Sequence, residues 1–262
     1  MSRSTRFRTI LVAGLALALI LPAAASATHS WGNYHWGRTA NPFTLKLGDN
    51  VSSAWDSYLA TTSVDWSVST VLDTTIVAGG TTARKCRATT GRVEVCNASY
   101  GNNGWLGLAS ISVSGSHITK AYVKLNDTYF KTAAYNTPAW RNLVMCQEVG
   151  HTFGLGHTDE TFGNANGGTC MDYTSDPDGP LSNEHPNDHD YEQLAMIYAH
   201  LDSTTTVGAA APSGPGGGNG AAEAASSGWG RLVATTNGGR GGVYLLDLGN
   251  GDQVVTHVFW AR

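Results

Sequence analysis

The stretch MCQEVGHTFGLGHTDE, residues Met145–Glu160, places an acid and two histidines where they can meet at one point. Gln147 and His151 are four residues apart and share one face of a helix, with Glu148 beside them. Two glycines then let the chain leave the helix and bend back, so that His157 returns toward His151. Neutral imidazoles bind zinc, and a carboxylate next to an open coordination position can take a proton from water. The stretch therefore predicts a zinc site in which Glu148 serves as a base.

The segment QEVGHTFGLGH resembles the metzincin metalloprotease signature H-E-x-x-H-x-x-G-x-x-H. Four positions match it: Glu148, His151, Gly154 and His157. Gln147 departs from it, because the signature has a histidine there. Further along, TCMDY resembles the Met-turn of the same family, and the order of the predicted strands and helices is similar to that of matrixin-type metzincin domains. The resemblance covers roughly residues 40–202.

The resemblance implies a role for each matching residue. The implied ligands of a Zn²⁺ cofactor are His151 and His157, and the carboxamide of Gln147 can coordinate the metal where the signature has its first histidine. Glu148 would be the general base, and Met171 would lie beneath the metal. Tyr173 follows two residues later, the spacing at which astacin-like and serralysin-like metzincins carry a tyrosine that reaches the metal or the oxyanion.

Gln147 weakens the predicted site. A carboxamide oxygen is a neutral and weaker zinc donor than an imidazole, so we expect looser binding of zinc unless another ligand joins. Tyr173, His185 and His189 are candidates for that ligand. The alternative for the two histidines is a solvated loop before the last helix.

Two functions are compatible with this pattern. The first is a secreted zinc-dependent endopeptidase. The resemblance implies that its substrate binds in extended form along Trp105–Val113, as the edge strand of the sheet. The second is a catalytically inactive secreted protein of metzincin fold that binds peptide or protein ligands in the same cleft. Loss of cleavage on replacing Glu148 would separate the two functions.

The rest of the chain predicts an α+β fold, a twisted mixed sheet with two main helices and a C-terminal helix. Strands are predicted at Pro42–Leu47, Thr70–Ala78, Arg92–Ala98, Trp105–Val113 and His117–Leu125. Asn50 is predicted to cap the first helix, and Thr137 with Pro138 to open the second. The last helix is expected to begin at Asn187 and to carry apolar residues at helical spacing through Leu201.

Composition divides the chain into four segments. Residues 1–27 combine three arginines, an apolar run and a small-residue cleavage site, which predicts a secretory signal peptide. Residues 28–202 form the metzincin-like domain. Residues 203–228 are rich in Gly, Ala and Ser and predict a flexible linker. Residues 229–262 carry two strand-like runs around GNGD, which predicts a hairpin and a small β module.

Cysteine content and charge indicate an exported protein that acts on other proteins. Four cysteines predict two disulfides with three possible pairings, and nearest-neighbour pairing would join Cys86 to Cys96 and Cys146 to Cys170. Without the signal peptide the chain has 13 basic and 20 acidic residues, a formal charge of −7. This balance, without a basic cluster, argues against nucleic acid and anionic membranes as partners. We expect a monomer that binds a peptide or protein substrate.

Overall fold

The structure is a computed structural model that describes residues 29–210, 228–236 and 239–261. The predicted signal peptide and residues 211–227 of the predicted linker lie outside the described residues. Residues 203–210, where the linker is predicted to begin, run along the body. There Thr206 donates a hydrogen bond to the Ile118 carbonyl at 2.6 Å, and the Gly208 N–H donates to the Gly91 carbonyl at 2.8 Å. The described part of the chain contains no helix long and apolar enough to cross a membrane.

Six strands of the body form one mixed sheet, so the predicted α+β class is confirmed. They are β1 His35–Trp36, β2 Phe43–Asn50, β3 Leu72–Ala78, β4 Val93–Ala98, β5 Trp105–Ser114 and β6 His117–Asn126. β2 lies between β3 and β4 and is parallel to both, and β4 is parallel to β6. β1 pairs in parallel with the start of β6, whereas β5 pairs with β6 in the antiparallel sense. All five predicted strands are present, with shifted bounds.

The helices of the described residues include the one that carries the predicted zinc ligands. They are α1 Asp56–Trp66, α2 Asp127–Phe130, α3 Pro138–His151 and α4 Asp188–Ile197. α3 begins as predicted, with Pro138 in its first turn and the Thr137 side chain accepting a hydrogen bond from the Trp140 N–H at 3.2 Å. α4 begins with a capping box formed by Asn187 and Asp190.

Two helix boundaries differ from the prediction. Asn50 does not cap α1 but ends β2. Its side-chain oxygen, the atom that would cap a helix, accepts from the Thr81 N–H at 3.2 Å, and its amide donates to the buried carboxylate of Glu94 at 2.7 Å. α1 begins at Asp56 instead. Leu201 lies beyond the end of α4 and is 56% exposed, so it does not extend the apolar face of that helix.

The hairpin predicted near the C-terminus is confirmed. Strands β7 Arg231–Thr236, β8 Gly241–Gly249 and β9 Asp252–Trp260 form an antiparallel unit, called here the C-terminal module. β8 and β9 are joined at Asn250 and Gly251, both with positive φ, as tight hairpin turns require.

The C-terminal module extends the sheet of the body. β9 pairs antiparallel with β5 along its whole length, from Trp105 opposite Trp260 to Ser114 opposite Asp252. The strand order is β3-β2-β4-β6-β5-β9-β8-β7, with β1 attached to β6. The prediction that β5 is an edge strand is therefore wrong for this structure. β5 would be the edge only without β9, a partner about 140 residues away that local patterns do not identify.

Both disulfides follow the nearest-neighbour pairing. Cys86 is bonded to Cys96 and Cys146 to Cys170. The second bond joins α3 to the segment just before Met171, as the prediction required. It therefore holds together the two parts of the chain that carry the candidate site.

Removing the Cys146–Cys170 disulfide is expected to lower the free energy of unfolding by about 3 kcal/mol, because the bond closes a loop in the unfolded chain. The two cysteines are 24 residues apart. Urea unfolding of the double variant Cys146→Ala/Cys170→Ala, compared with the wild type, measures the loss. A change below about 1 kcal/mol would contradict the loop-closure estimate.

A candidate metal centre beneath the C-terminal module

The end of α3 brings His157 back beside His151, as the spacing predicts. α3 ends at His151, and Gly154 then adopts φ +96°. A β-carbon at Gly154 would meet the carbonyl oxygen of Tyr34, so the turn requires glycine both for its conformation and for its space. The two imidazole rings consequently lie 4.6 Å apart, centroid to centroid, in an edge-on arrangement.

A third histidine, which the sequence interpretation missed, completes the cluster. One ring nitrogen from each of His151, His157 and His257 lies within 4.8 Å of the other two. His257 belongs to β9 and reaches the site because β9 pairs with β5. A lone histidine in a β-branched run, 100 residues from the motif, has no spacing signal that would identify it. The one indication in the sequence was Gln147 itself, because a signature that lacks its first histidine leaves room for an imidazole from elsewhere in the chain.

The unpaired atoms of the cluster fit a zinc ion. His151 Nδ1 lies 2.8 Å from the carbonyl oxygen of Leu155, which only accepts, so Nδ1 carries the proton and Nε2 presents its lone pair. Nε2 atoms of His151 and His157 are buried without a hydrogen-bond partner. Gln147 donates from Nε2 to the Cys170 carbonyl at 2.7 Å, which leaves its buried Oε1 unpartnered. Buried imidazole nitrogens with free lone pairs are donors that zinc accepts, whereas a carboxamide oxygen is a weaker one.

Burial keeps the three imidazoles in the form that binds metals. It lowers the pKa of His151 to about 3, an effect to which His257 adds, and it lowers the pKa of His257 to about 3. Burial likewise holds the pKa of His157 well below its ordinary range. Neutral imidazole is the ligand form, because a protonated ring has no free lone pair.

Glu148 lies against the same cluster and is fully buried. Its Oε2 is 3.3 Å from His257 Nδ1, and its Oε1 has no hydrogen-bond partner. Burial raises the pKa of Glu148 to about 8, partly offset by the His151 imidazole. Gly107 on β5 makes this position possible, since a β-carbon there would lie 2.5 Å from Val144 and 3.0 Å from Glu148 Cγ. A carboxyl group with a raised pKa in a buried histidine cluster is typical of a site for proton transfer.

Met171 and Tyr173 approach the cluster from the segment after the second disulfide. A β-carbon at Gly150 would lie 2.7 Å from Met171 Sδ, so glycine allows the methionine to pack directly beneath α3. Tyr173 is buried, and its hydroxyl is 2.8 Å from His257 Nε2. Both ring nitrogens of His257 are thus engaged, one by Glu148 and the other by Tyr173.

His185 and His189 lie away from the cluster. His185 Nδ1 is 2.7 Å from a carboxylate oxygen of Asp65, and half of its side chain is exposed. The ring of His189 packs against that of His29, with centroids 4.9 Å apart. In this structure it is His257, not either of these histidines, that joins His151 and His157.

The cluster is closed to solvent. Glu148 and Tyr173 are completely buried, and His151 and His257 are at most 2% exposed. A peptide backbone cannot reach these groups in the observed arrangement. β9, which carries His257 and pairs with β5, is one of the elements that cover the cluster.

Comparisons with known proteins add little. No family model matches the chain, and no curated protein matches it. A solved structure described as "Structure of myroilysin" is similar over 65% of this chain and 98% of that chain, at 13% sequence identity and a TM-score of 0.38. A likeness at that level carries no argument, so the interpretation of the site depends on its own geometry.

Proposed function

We propose that the protein is a secreted zinc-dependent endopeptidase of metzincin type and that the structure is its closed state. The observation that carries this proposal is the meeting of unpaired metal donors with a buried carboxyl group. His151 and His157 present buried ring nitrogens without a hydrogen-bond partner, His257 joins them, and Glu148 is the carboxyl group. The two disulfides fit an oxidising destination, which supports secretion.

The metal would be held by His151 and His157 with a third donor that depends on the state of the protein. In the closed state the third donor is the His257 imidazole, which would exchange its contact with Glu148 or Tyr173 for the metal. After β9 leaves, the Oε1 atom of Gln147 remains as the third protein donor. When bound, zinc supplies a Lewis acid that lowers the pKa of water and polarises a carbonyl group.

Two residues of the chain would act on the substrate. Glu148 would take a proton from the attacking water and pass it to the leaving amine. The Tyr173 hydroxyl donates a hydrogen bond to the oxygen of the attacked carbonyl. His257 occupies both groups in the closed state, so both become available only when it withdraws.

The C-terminal module holds the place of the substrate. An extended peptide would add to the free edge of β5 through main-chain hydrogen bonds, and β9 makes the same antiparallel pairing from within the chain. We therefore describe the module as a built-in inhibitor. Its release exposes the edge, the metal donors and the two catalytic groups together.

The proposal is tested by peptide cleavage. The zinc-loaded chain, residues 28–262, and a variant with a weakened β5–β9 pairing are each incubated with a mixed peptide library, with and without a chelator. We expect cleavage that the chelator stops and added zinc restores, faster in the variant. If neither protein cleaves any peptide while zinc is bound, the endopeptidase proposal is wrong.

The burial of the site supports a second function, a metal-binding protein that does not cut peptides. In that case the three imidazoles form a closed site and β9 is a permanent strand of the sheet. This function differs from the inactive peptide-binding protein considered in the sequence analysis. Here the edge of β5, where a peptide ligand would pair, is taken by β9 of the same chain. Zinc binding without cleavage by either the wild type or the weakened variant would favour it.

Replacing His257 with alanine is expected to weaken zinc binding by more than about tenfold, since it removes an imidazole donor from the closed state. Replacing a residue that only hydrogen-bonds to a metal ligand already lowers metal affinity by about tenfold or more. Competition with a chromogenic chelator measures the affinity. His185→Ala is the matched control, because His185 contacts Asp65 outside the cluster. Equal affinities for wild type and His257→Ala would show that His257 is not a zinc donor.

A further inference from the structure

A second group of histidines surrounds a carboxylate at the junction of β1 with the chain that follows α4. His35 lies on β1, and His200 and Asp202 lie just beyond α4. None of these residues belongs to the cluster around Glu148. One ligand atom from each of the three lies within 4.8 Å of the other two.

The spacing of these three atoms matches one face of a metal tetrahedron. His35 Nε2 is 3.2 Å from His200 Nε2, and each is 3.5 Å from Oδ1 of Asp202. Zinc ligands at about 2.0 to 2.1 Å from a tetrahedral metal are separated from one another by about 3.3 to 3.4 Å. Two imidazole nitrogens and a carboxylate oxygen are also a donor set that suits zinc.

Neighbouring residues hold these donors in position by hydrogen bonds, as they commonly do for the ligands of a metal. His35 Nδ1 is 2.8 Å from the carbonyl oxygen of Asn33, so that nitrogen carries the proton and Nε2 presents its lone pair. Arg38 donates to Oδ2 of Asp202 from its guanidinium at 2.7 Å and from its backbone N–H at 3.1 Å. This fixes the carboxylate with Oδ1 toward the imidazoles. His117, whose Nε2 is 3.1 Å from the same Oδ1, adds a further contact.

From this geometry we propose that His35, His200 and Asp202 form a second zinc-type metal site. The His200 side chain is 53% exposed, so an ion can enter from solvent and water can fill the remaining coordination position. The metal would tie β1 to the end of the last helix. Its role is structural, and it does not depend on the endopeptidase proposal.

The test removes the first site and counts the metal that remains. The full mature chain with His151→Ala/His157→Ala is dialysed against zinc and its metal content measured. We expect one equivalent of zinc, and we expect zinc to raise the midpoint of thermal unfolding. Adding His200→Ala, a half-exposed position where folding is not at risk, should abolish both effects.

A matched pair of histidines outside both groups controls for nonspecific loss. His185→Ala/His189→Ala in the same background should keep the bound zinc and the thermal shift. If the His151→Ala/His157→Ala chain binds no zinc, the group around Asp202 is only a histidine–carboxylate cluster and the proposal is overturned. Retention of the zinc after His200→Ala would overturn it as well. Neither result bears on peptide cleavage, which separates this failure from a failure of the proposed function.

Discussion

Replacing Thr256 with proline is expected to raise peptide cleavage by the zinc-loaded chain about 5- to 100-fold. Proline in a central strand leaves a buried carbonyl without its hydrogen-bond donor, which destabilises the pairing by about 1 to 3 kcal/mol, and each 1.4 kcal/mol is about tenfold. Thr256 lies in the middle of β9, opposite Ser110 of β5 on one side and Tyr244 of β8 on the other. Proline there removes a backbone donor from the ladder and shifts the equilibrium toward the state with β5 free. Initial rates on a fluorogenic peptide, taken from hits in the library, give the ratio of the two proteins.

The control places proline in the outer strand of the same module. Leu232→Pro alters β7, which pairs with β8 and not with β5, so it should leave the rate near that of the wild type. Circular dichroism and zinc content verify that both variants keep the body folded and loaded. Equal rates for wild type and Thr256→Pro would show that β9 does not limit access. The closed-state proposal would then be wrong, while the endopeptidase proposal would stand.

Replacing Glu148 with glutamine in the Thr256→Pro chain is expected to reduce the cleavage rate by about 100- to 10,000-fold, the usual contribution of a general base. Glutamine keeps the shape of the side chain and its hydrogen-bonding reach, but it cannot take the proton of the attacking water. Glu148 is not among the proposed zinc donors, so the zinc content should not change. The paired measurement of rate and zinc content therefore separates loss of the base from loss of the metal.

Glu192 offers a matched control for this substitution. It lies on α4, is exposed, and takes no part in the cluster, so Glu192→Gln should leave the rate unchanged. A Glu148→Gln rate within about tenfold of its parent would show that Glu148 is not the base. Cleavage that is independent of both Glu148 and zinc would point to a contaminating protease.

Several features of the candidate site could be predicted because they depend on neighbours along the chain. The i,i+4 spacing places residues 147 and 151 on one helical face, and the Thr137 cap with Pro138 opens α3 where expected. Gly154 returns the chain so that His157 meets His151. These outcomes follow from helix geometry and from the conformational freedom of glycine, which act over a few residues. The disulfide between Cys146 and Cys170 then fixes the segment that carries Met171 next to α3.

The boundary of α1 shows where local reasoning stops. Asn50 has the chemistry of a helix cap, yet its side-chain oxygen accepts from the backbone N–H of Thr81, a residue 31 positions later that follows β3, the strand paired with β2. A side chain that can cap a helix can also hydrogen-bond to groups distant in sequence, which the local sequence does not reveal. Whether it caps the helix therefore depends on which groups the sheet brings close to it.

The return of His157 to His151 and the C-terminal hairpin could be predicted from spacing, because each arises from short-range geometry. Spacing left three disulfide pairings open, of which the structure shows the nearest-neighbour one. The position of the hairpin could not be predicted, nor could the arrival of His257 at the cluster. Both depend on β9 pairing with β5, across a separation in sequence that local periodicity does not encode. A strand's pattern shows that it will pair and which faces are apolar, whereas its partner is chosen by the burial of the whole sheet. That choice closes the predicted peptide-binding edge and brings a third imidazole to the site where the motif lacks one.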